Sequence, residues 1–438
     1  MIAYLFLSSY LNKRPHLKGW YKVVKFLLGV WVFFNGIIIF ESIDYSYTDQ
    51  RGNTYVATEK TYFLTADRLE LAKFNASGSL QWSKKYSLDS GYARQMIVDE
   101  YGNIFVALSC DPGSQVVKFN PEGKLLWKRK TSLDIRAMRI IENKVIALGC
   151  NDDYQLAVED YHSSRGLLMR TQLFPQWIYQ TIYNDEFWID SGGNVFTFPR
   201  NNSILNKMTP AGQRLWKVEF DKSLICSALG TDAENNLYLG GSSKKPGNTR
   251  LAYLARIDAD GNTDWSQEIE LDNYPQYTSL GHLSITGDKT LYAIGEHQYA
   301  KEGREFKGWH RNNITKLYLL KMTLDGQIQW HTLIDLPDDS YLGTDGSGNA
   351  YLVADVLWSD SLGLAKYDAN GERQWMSVTL SADRIYTILV IIVAVMDSVL
   401  KWLAKRRKKT RINPYTGIRE NCYDEYRDDY RTDPKPQA

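Results

Sequence analysis

The stretch KFNPEGKLLW (118–127) recurs along the middle of the chain and decides the fold. Each copy has a basic residue, a turn with a glycine, and a tryptophan four residues after that glycine. An eroded seventh copy, SSRGLLMR (163–170), has Gly166 in the glycine position and Arg170 where the tryptophan would stand. The intact copies are KFNASGSLQW (73–82), KFNPEGKLLW (118–127), KMTPAGQRLW (207–216), RIDADGNTDW (256–265), KMTLDGQIQW (321–330) and KYDANGERQW (366–375).

A second motif precedes each copy of the first. It is a turn followed by alternating residues, which is typical of a β-hairpin. A third strand between the motifs and a fourth before each turn give four strands in about 45 residues, the size of a propeller blade. We therefore predict an all-β chain, a seven-bladed β-propeller with four-stranded blades. The copies are GNTYVA, GNIFVA, ENKVIA, GNVFTF, NNLYLG, DKTLYA and GNAYLV, starting near residues 52, 102, 142, 193, 235, 288 and 348.

The recurring tryptophans are predicted to be structural. A large rigid aromatic ring fills the gap where neighbouring twisted sheets diverge, so we expect these rings to wedge between blades. Stacking on a ligand is the alternative role. The residues are Trp82, Trp127, Trp216, Trp265, Trp330 and Trp375.

Two apolar runs flank the repeats, and each predicts a transmembrane helix. The first, 23–40, is near the lower limit for a spanning helix and is predicted to be an uncleaved signal anchor, with a cleaved signal peptide as the alternative. The second, 385–404, matches the thickness of the hydrocarbon core. It contains Asp397, which can pair with Lys401 on the same helix face or serve as a polar contact for a partner helix.

Basic residues cluster at the far end of each run, between Lys13 and Lys25 and between Lys401 and Arg411. Positive flanks remain on the cytoplasmic side, so both termini are predicted to be cytoplasmic. The predicted location is the bacterial cytoplasmic (inner) membrane, with the propeller on the periplasmic side. The predicted domains are a cytoplasmic segment 1–22, the anchor 23–40, the propeller 41–383, the helix 385–404 and a disordered cytoplasmic tail 405–438.

The basic–turn–Gly–Trp repeat resembles that of the pyrroloquinoline-quinone-like (PQQ-like) propellers, over about residues 41–381. That family contains quinone-dependent alcohol dehydrogenases and also non-enzymatic members, such as a lipoprotein of the machinery that assembles outer-membrane β-barrels. The resemblance implies a propeller, and we expect a non-enzymatic, membrane-anchored member. Two features differ from those relatives: they usually have eight blades, and they often share one blade between the two chain ends.

The chemistry-bearing residues point away from catalysis. The enzymatic relatives hold calcium and a disulfide of adjacent cysteines against the quinone, whereas no two cysteines here are adjacent. Cys110 and Cys150 are predicted to be small buried hydrophobes, with a bridge as the alternative. DADGNTD (258–264) has its glycine in the wrong place for a calcium loop, so a β-turn is expected. No hydrolase or transferase motif occurs, so we predict no catalytic residues, no cofactor and no metal site.

Binding is the remaining function. A net charge of +1 argues against nucleic acid, and the predicted partners are the lipid bilayer and a protein of a membrane complex. We expect a binding or scaffolding module; the alternatives are a quinone-dependent dehydrogenase and a sensor that signals through the tail.

The loop 296–315 lengthens the sixth repeat and is the predicted contact region, with 242–250 as a weaker second. A solvated hairpin extension without a partner is the alternative. The predicted contact residues are Arg304, Phe306, Lys307, Trp309, His310 and Arg311.

Overall fold

Tight turns set the strand boundaries and divide the chain into four-stranded antiparallel units. The computed structural model describes residues 38–62, 68–87, 92–110, 112–175, 186–199, 203–246, 249–270, 277–300, 313–334, 336, 340–356, 361–380, 410–412 and 419–421. Every assigned element in these ranges is a strand, which confirms the all-β prediction. No helix within them is long and apolar enough to cross a membrane.

The first four units are separate four-stranded sheets. Unit 1 consists of β1 (Ile38–Thr48), β2 (Thr54–Tyr62), β3 (Arg68–Phe74) and β4 (Leu80–Tyr86). Unit 2 consists of β5 (Ala93–Val98), β6 (Ile104–Ser109), β7 (Ser114–Phe119) and β8 (Leu125–Thr131). Unit 3 consists of β9 (Asp134–Ile141), β10 (Lys144–Cys150), β11 (Leu156–His162) and β12 (Leu168–Leu173). Unit 4 consists of β13 (Glu186–Ile189), β14 (Val195–Phe198), β15 (Ile204–Met208) and β16 (Arg214–Glu219).

Units 5 and 6 form one eight-stranded sheet, because a single parallel bridge links Arg250 to Tyr277. Unit 5 consists of β17 (Leu224–Thr231), β18 (Leu237–Lys244), β19 (Arg250–Ile257) and β20 (Thr263–Ile269). Unit 6 consists of β21 (Tyr277–Ile285), β22 (Thr290–Ala300), β23 (Asn313–Thr323) and β24 (Ile328–Ile334). Unit 7 is again separate and consists of β25 (Ser340–Thr344), β26 (Ala350–Val356), β27 (Ser361–Tyr367) and β28 (Arg373–Leu380).

The first strands of the units lie side by side. Each of β1, β5, β9, β13, β17, β21 and β25 packs against the next, and β25 packs against β1. The buried apolar clusters lie mostly between adjacent units, and one of them joins Val353 and Leu364 of unit 7 to Val56 and Phe74 of unit 1. Four-stranded units arranged in this way around a centre are the architecture of a β-propeller.

The strand directions define two faces. The turns between first and second strands, and between third and fourth strands, lie on one side, which we call the turn face. The loops between second and third strands, and the links from one unit to the next, lie on the other side, which we call the loop face. β1 begins and β28 ends at the loop face, so the chain enters and leaves the propeller there.

The flanking predictions fall mostly outside the described residues. Of the predicted anchor 23–40, Ile38–Phe40 begin strand β1. The predicted helix 385–404 lies wholly outside. The segment 382–438 forms a separate compact unit. Its described residues form a short hairpin of β29 (Thr410–Ile412) and β30 (Arg419–Asn421) in the tail that was expected to be disordered.

Candidate functional site

The predicted contact residues of the sixth repeat, Arg304 to Arg311, lie outside the described residues. The strands that carry this loop are described, and they are long. β22 and β23 are paired over eleven positions, from Thr290 to Ala300, whereas β18 and β19 of unit 5 are paired over eight. The extra pairs lengthen the hairpin by about 10 Å at 3.4 Å per residue. The 20-residue insertion therefore begins as a projecting hairpin on the loop face.

Each intact tryptophan lies against the next unit. Its ring covers the glycine of the neighbouring third–fourth strand turn, as Trp82 covers Gly123 and Trp375 covers Gly78. A methyl group on Gly78, which has a φ of +75°, would come within 2.6 Å of the Trp375 ring. For five of the rings the indole N–H also donates to a backbone carbonyl of the next unit: Trp82 to Pro121, Trp127 to Ser163, Trp216 to Ala259, Trp265 to Leu324 and Trp330 to Ala369.

Unit 3 departs from this pattern in a coupled way. In the other units the tryptophan pairs across the strands with a lysine or arginine, as Trp330 does with Lys321. In unit 3 Arg170 pairs with Asp160, and their side chains form an ion pair at 3.0 Å. The glycine of the next turn, Gly212, lies against Phe174 and Pro175 instead. In unit 3, Phe174 and Pro175 therefore take the place of the tryptophan ring. An acidic residue stands where the other units have a basic one, and it pairs with Arg170.

The turn aspartates are structural residues that the sequence reasoning missed. Five of the first–second strand turns have an aspartate four residues before an asparagine. In unit 7, Asp345 accepts bonds from the backbone of Ser347 and Asn349, from the Asn349 amide, and from the Tyr351 hydroxyl. The D-x-x-(G/N)-N spacing in the sequence was the available signal. The residues are Asp49, Asp99, Asp190, Asp232 and Asp345.

A second missed feature lines the centre of the ring. The first strands of five units have a β-bulge at almost the same level, where the register skips one residue of the strand. The free edge of a first strand faces the lumen, so a bulge re-aims its residue towards the centre. These residues are half-buried, although residues beside them are buried. They are Asp44, Arg94, Arg136, Ser227 and Gly281.

The charged part of this level lies in units 1 to 3. Arg136 Nη2 is 2.6 Å from Asp134 Oδ2, and Arg94 Nη2 is 3.6 Å from Asp134 Oδ1. The Arg94 guanidinium also stacks over Tyr92, 4.5 Å from the ring centroid. The carboxylate of Asp44 accepts a bond from the Ala93 backbone. Two guanidinium groups therefore converge on one carboxylate at the loop-face end of the lumen.

On the opposite side of the lumen the bulged residues are small and leave open space. A methyl group built on Gly281 would meet no other atom within 4 Å. Next to Gly281 in the same strand, His282 packs against Tyr341 with ring centroids 5.4 Å apart, and Tyr45 packs against the same tyrosine at 5.8 Å, both in tilted arrangements. Burial raises the pKa of Tyr45 to about 12, so this hydroxyl is neutral at physiological pH. The lumen thus has one side with two arginines and two aspartates and another side that is open at Gly281.

Three further sequence predictions concern a metal site, the cysteines and the DADGNTD turn. No group of three His, Cys, Asp or Glu side chains within the described ranges could hold a metal ion. Cys150 and Cys226 are buried, whereas Cys110, which was expected to be buried, is half-buried. Asp258 holds a β-turn by accepting bonds from the backbone of Asp260 and Asn262.

Comparison with known proteins adds only a likeness of fold. No protein-family model matches the chain, and no curated protein matches it. Among solved structures, the WD40 domain of Neurospora crassa Pan2 is 10% identical, with 71% of this chain and 85% of that chain covered and a TM-score of 0.49. A streptogramin B lyase is 11% identical, with 73% and 92% covered and a TM-score of 0.47. A Bacteroides caccae protein of unknown function is 13% identical, with 60% and 90% covered and a TM-score of 0.41.

Proposed function

We propose that the seven units are the blades of one closed propeller, anchored in a membrane through both ends of the chain, which binds a protein partner outside the cytoplasm. The contact of β25 with β1 and the covering of Gly78 by Trp375 support closure after seven blades. The positive flanks of the two apolar runs support the anchors and their orientation. The proposed module belongs to the PQQ-like propellers and is a non-enzymatic scaffold of a membrane complex.

The observation that carries this proposal is the placement of features on one face. The start of β1, the end of β28 and the extended β22–β23 hairpin are all at the loop face. If the two ends lead into anchors, the loop face is the side nearest the membrane. The hairpin then projects towards neighbouring membrane proteins, and its basic and aromatic loop supplies the residue types that favour interface anchors.

The test is a detergent pull-down of the full chain from its native membrane, followed by mass spectrometry. A variant with Trp309→Ala and Arg311→Ala is compared with a matched variant, Asp221→Ala and Ser223→Ala, at exposed positions of the link that leads into unit 5 on the same face. We expect a membrane protein to co-purify with the wild type and the unit 5 variant, and to be lost with the unit 6 variant. Equal recovery with all three would contradict the assigned surface.

A further inference from the structure

The loop-face end of the lumen has a surplus of hydrogen-bond donors, although the carboxylates of Asp44 and Asp134 balance the charges of the two arginines at this level. Arg94 and Arg136 share the single carboxylate of Asp134. Two guanidinium groups offer about ten N–H donors, whereas one carboxylate accepts about four. The Nε–H of each arginine is buried and has no acceptor among the described residues. The pair therefore has unused capacity for a second anion.

The geometry also leaves space beside this pair. The arginines are bulged residues of neighbouring first strands, and their side chains are 27% and 19% exposed. The other bulged residues at this level are Asp44, whose carboxylate already accepts a bond from the Ala93 backbone, and the small residues Ser227 and Gly281. Because a side chain at Gly281 would meet nothing within 4 Å, the lumen is unfilled on that side. A ligand can thus place an anionic group at the arginines and its remaining part against the open side.

We propose that this lumen binds a carboxylate-bearing ligand, which enters from the loop face and is held between Arg94 and Arg136. A planar carboxylate matches the guanidinium fork and accepts charge-assisted hydrogen bonds. Asp134 holds the two guanidinium groups in place and competes with the ligand for them. The carboxylate is presented by a partner polypeptide or by a free small acid. The polypeptide source rests on the proposed function above; the site itself does not.

The experiment uses the full chain purified in detergent and two probes, succinate and a short peptide ending in Glu-Glu, measured by isothermal titration calorimetry. Arg94→Gln and Arg136→Gln should each weaken binding by about tenfold or more, since a charge-assisted hydrogen bond is lost. Asp134→Asn should strengthen it, because the competing charge is removed. A gain in affinity cannot result from misfolding, so this variant keeps the test sharp.

A steric pair of variants tests the location. Gly281→Leu fills the open side without changing any charge and should abolish binding of both probes. Gly287→Leu is the matched control, because a methyl group built on that glycine would also meet no atom within 4 Å, but the residue lies in a turn on the other face. It should bind as the wild type does.

The outcomes separate the two sources and the two proposals. Succinate binding without peptide binding identifies a free acid as the ligand class, and peptide binding that is lost when its C-terminus and side chains are amidated identifies a polypeptide. The proposal is overturned if neither probe binds at millimolar concentration, even to Asp134→Asn, or if binding survives Gly281→Leu. The pull-down tests the unit 6 loop, and the titrations test the lumen site. A failure of one proposal therefore does not change the result expected for the other.

Discussion

At the scale of single residues, the repeat owes its regularity to a three-part stack. A basic residue of the third strand lies over an aromatic ring of the second strand, as Lys118 Nζ does 4.8 Å from the Phe105 centroid. The tryptophan of the fourth strand packs on the same ring at 5.9 Å. Edge-on aromatic pairs and cation–π contacts are favourable in this arrangement. Any member of the stack therefore depends on the other two.

Unit 3 provides a test of that dependence. Restoring the repeat residue with Arg170→Trp should destabilise the protein by about 2 kcal/mol or more, because it removes the partner of Asp160, which is only 8% exposed. The double change Asp160→Lys with Arg170→Trp should recover part of the loss by recreating the lysine–tryptophan pair. Chemical denaturation of the two single variants and the double variant measures the coupling. Additive effects would show that the two positions are independent.

A surface network in unit 5 predicts a pH dependence. Burial alone would raise the pKa of Glu268, but hydrogen bonds from Lys245, Lys222 and Ser243 outweigh it and lower the pKa to about 2. A pKa below the unfolded value gives stability that is complete above about pH 5 and is lost as the pH falls towards 2. Because the network is partly exposed, we expect about 1 kcal/mol or less.

The measurement for this network is the unfolding free energy of wild type and Glu268→Gln at pH 7 and at pH 3. The difference between the two proteins should shrink at the lower pH. A difference that is the same at both values would contradict the assignment.

At the scale of elements, the first–second strand turn is fixed by its aspartate. Asp345 is buried and satisfies four donors, including the hydroxyl of Tyr351, whose tip lies against Gly52 of unit 1. Asp345→Ala should cost about 2–3 kcal/mol, because buried donors lose their acceptor. Glu100→Ala, at an exposed position of the matching turn in unit 2, should change stability by less than about 0.5 kcal/mol. Thermal unfolding of both variants compares them; equal shifts would argue against the role of the aspartate.

The elements also show what the sequence could predict. Turn chemistry and the basic–Gly–Trp spacing are local, so the strands and their antiparallel order follow from residues such as Gly123 and Trp127. The bulges at Arg94 and Gly281 could not be predicted, because a bulge is defined by the pairing register with the neighbouring strand, which the sequence of one strand does not show. The same holds for the meeting of Arg94 with Asp134, which lie in different units. The candidate lumen site was therefore missed, and attention went to the long loop.

At the scale of the whole molecule, the junction of units 7 and 1 differs from the others in its covalent connection. Every other pair of neighbouring units is joined by the link from a fourth strand to the next first strand. Among the described residues, units 7 and 1 are held by noncovalent contacts. The Tyr341 hydroxyl donates to the Asp44 carbonyl at 2.6 Å, the Gly346 backbone N–H donates to the Gln50 carbonyl at 2.9 Å, and Trp375 covers Gly78. At the other junctions the covalent link limits how far two units can separate when a contact is weakened. At the junction of units 7 and 1 a weakened contact lets the ring open.

This difference predicts unequal effects of one substitution at two places. Trp375→Ala and Trp265→Ala each remove a wedge and should each cost about 3 kcal/mol in unfolding free energy. Only Trp375→Ala should also raise local opening, since units 7 and 1 can separate without unfolding.

Hydrogen–deuterium exchange of the full chain should then show faster exchange in β1 and β25, the strands that face the junction, and unchanged exchange in units 3 and 4. In Trp265→Ala, the bridge from Arg250 to Tyr277 and the covalent link should keep units 5 and 6 together, so exchange in β17 and β21 should change little. Matching exchange patterns around the two junctions would contradict the idea that units 7 and 1 separate more easily because they lack a covalent link.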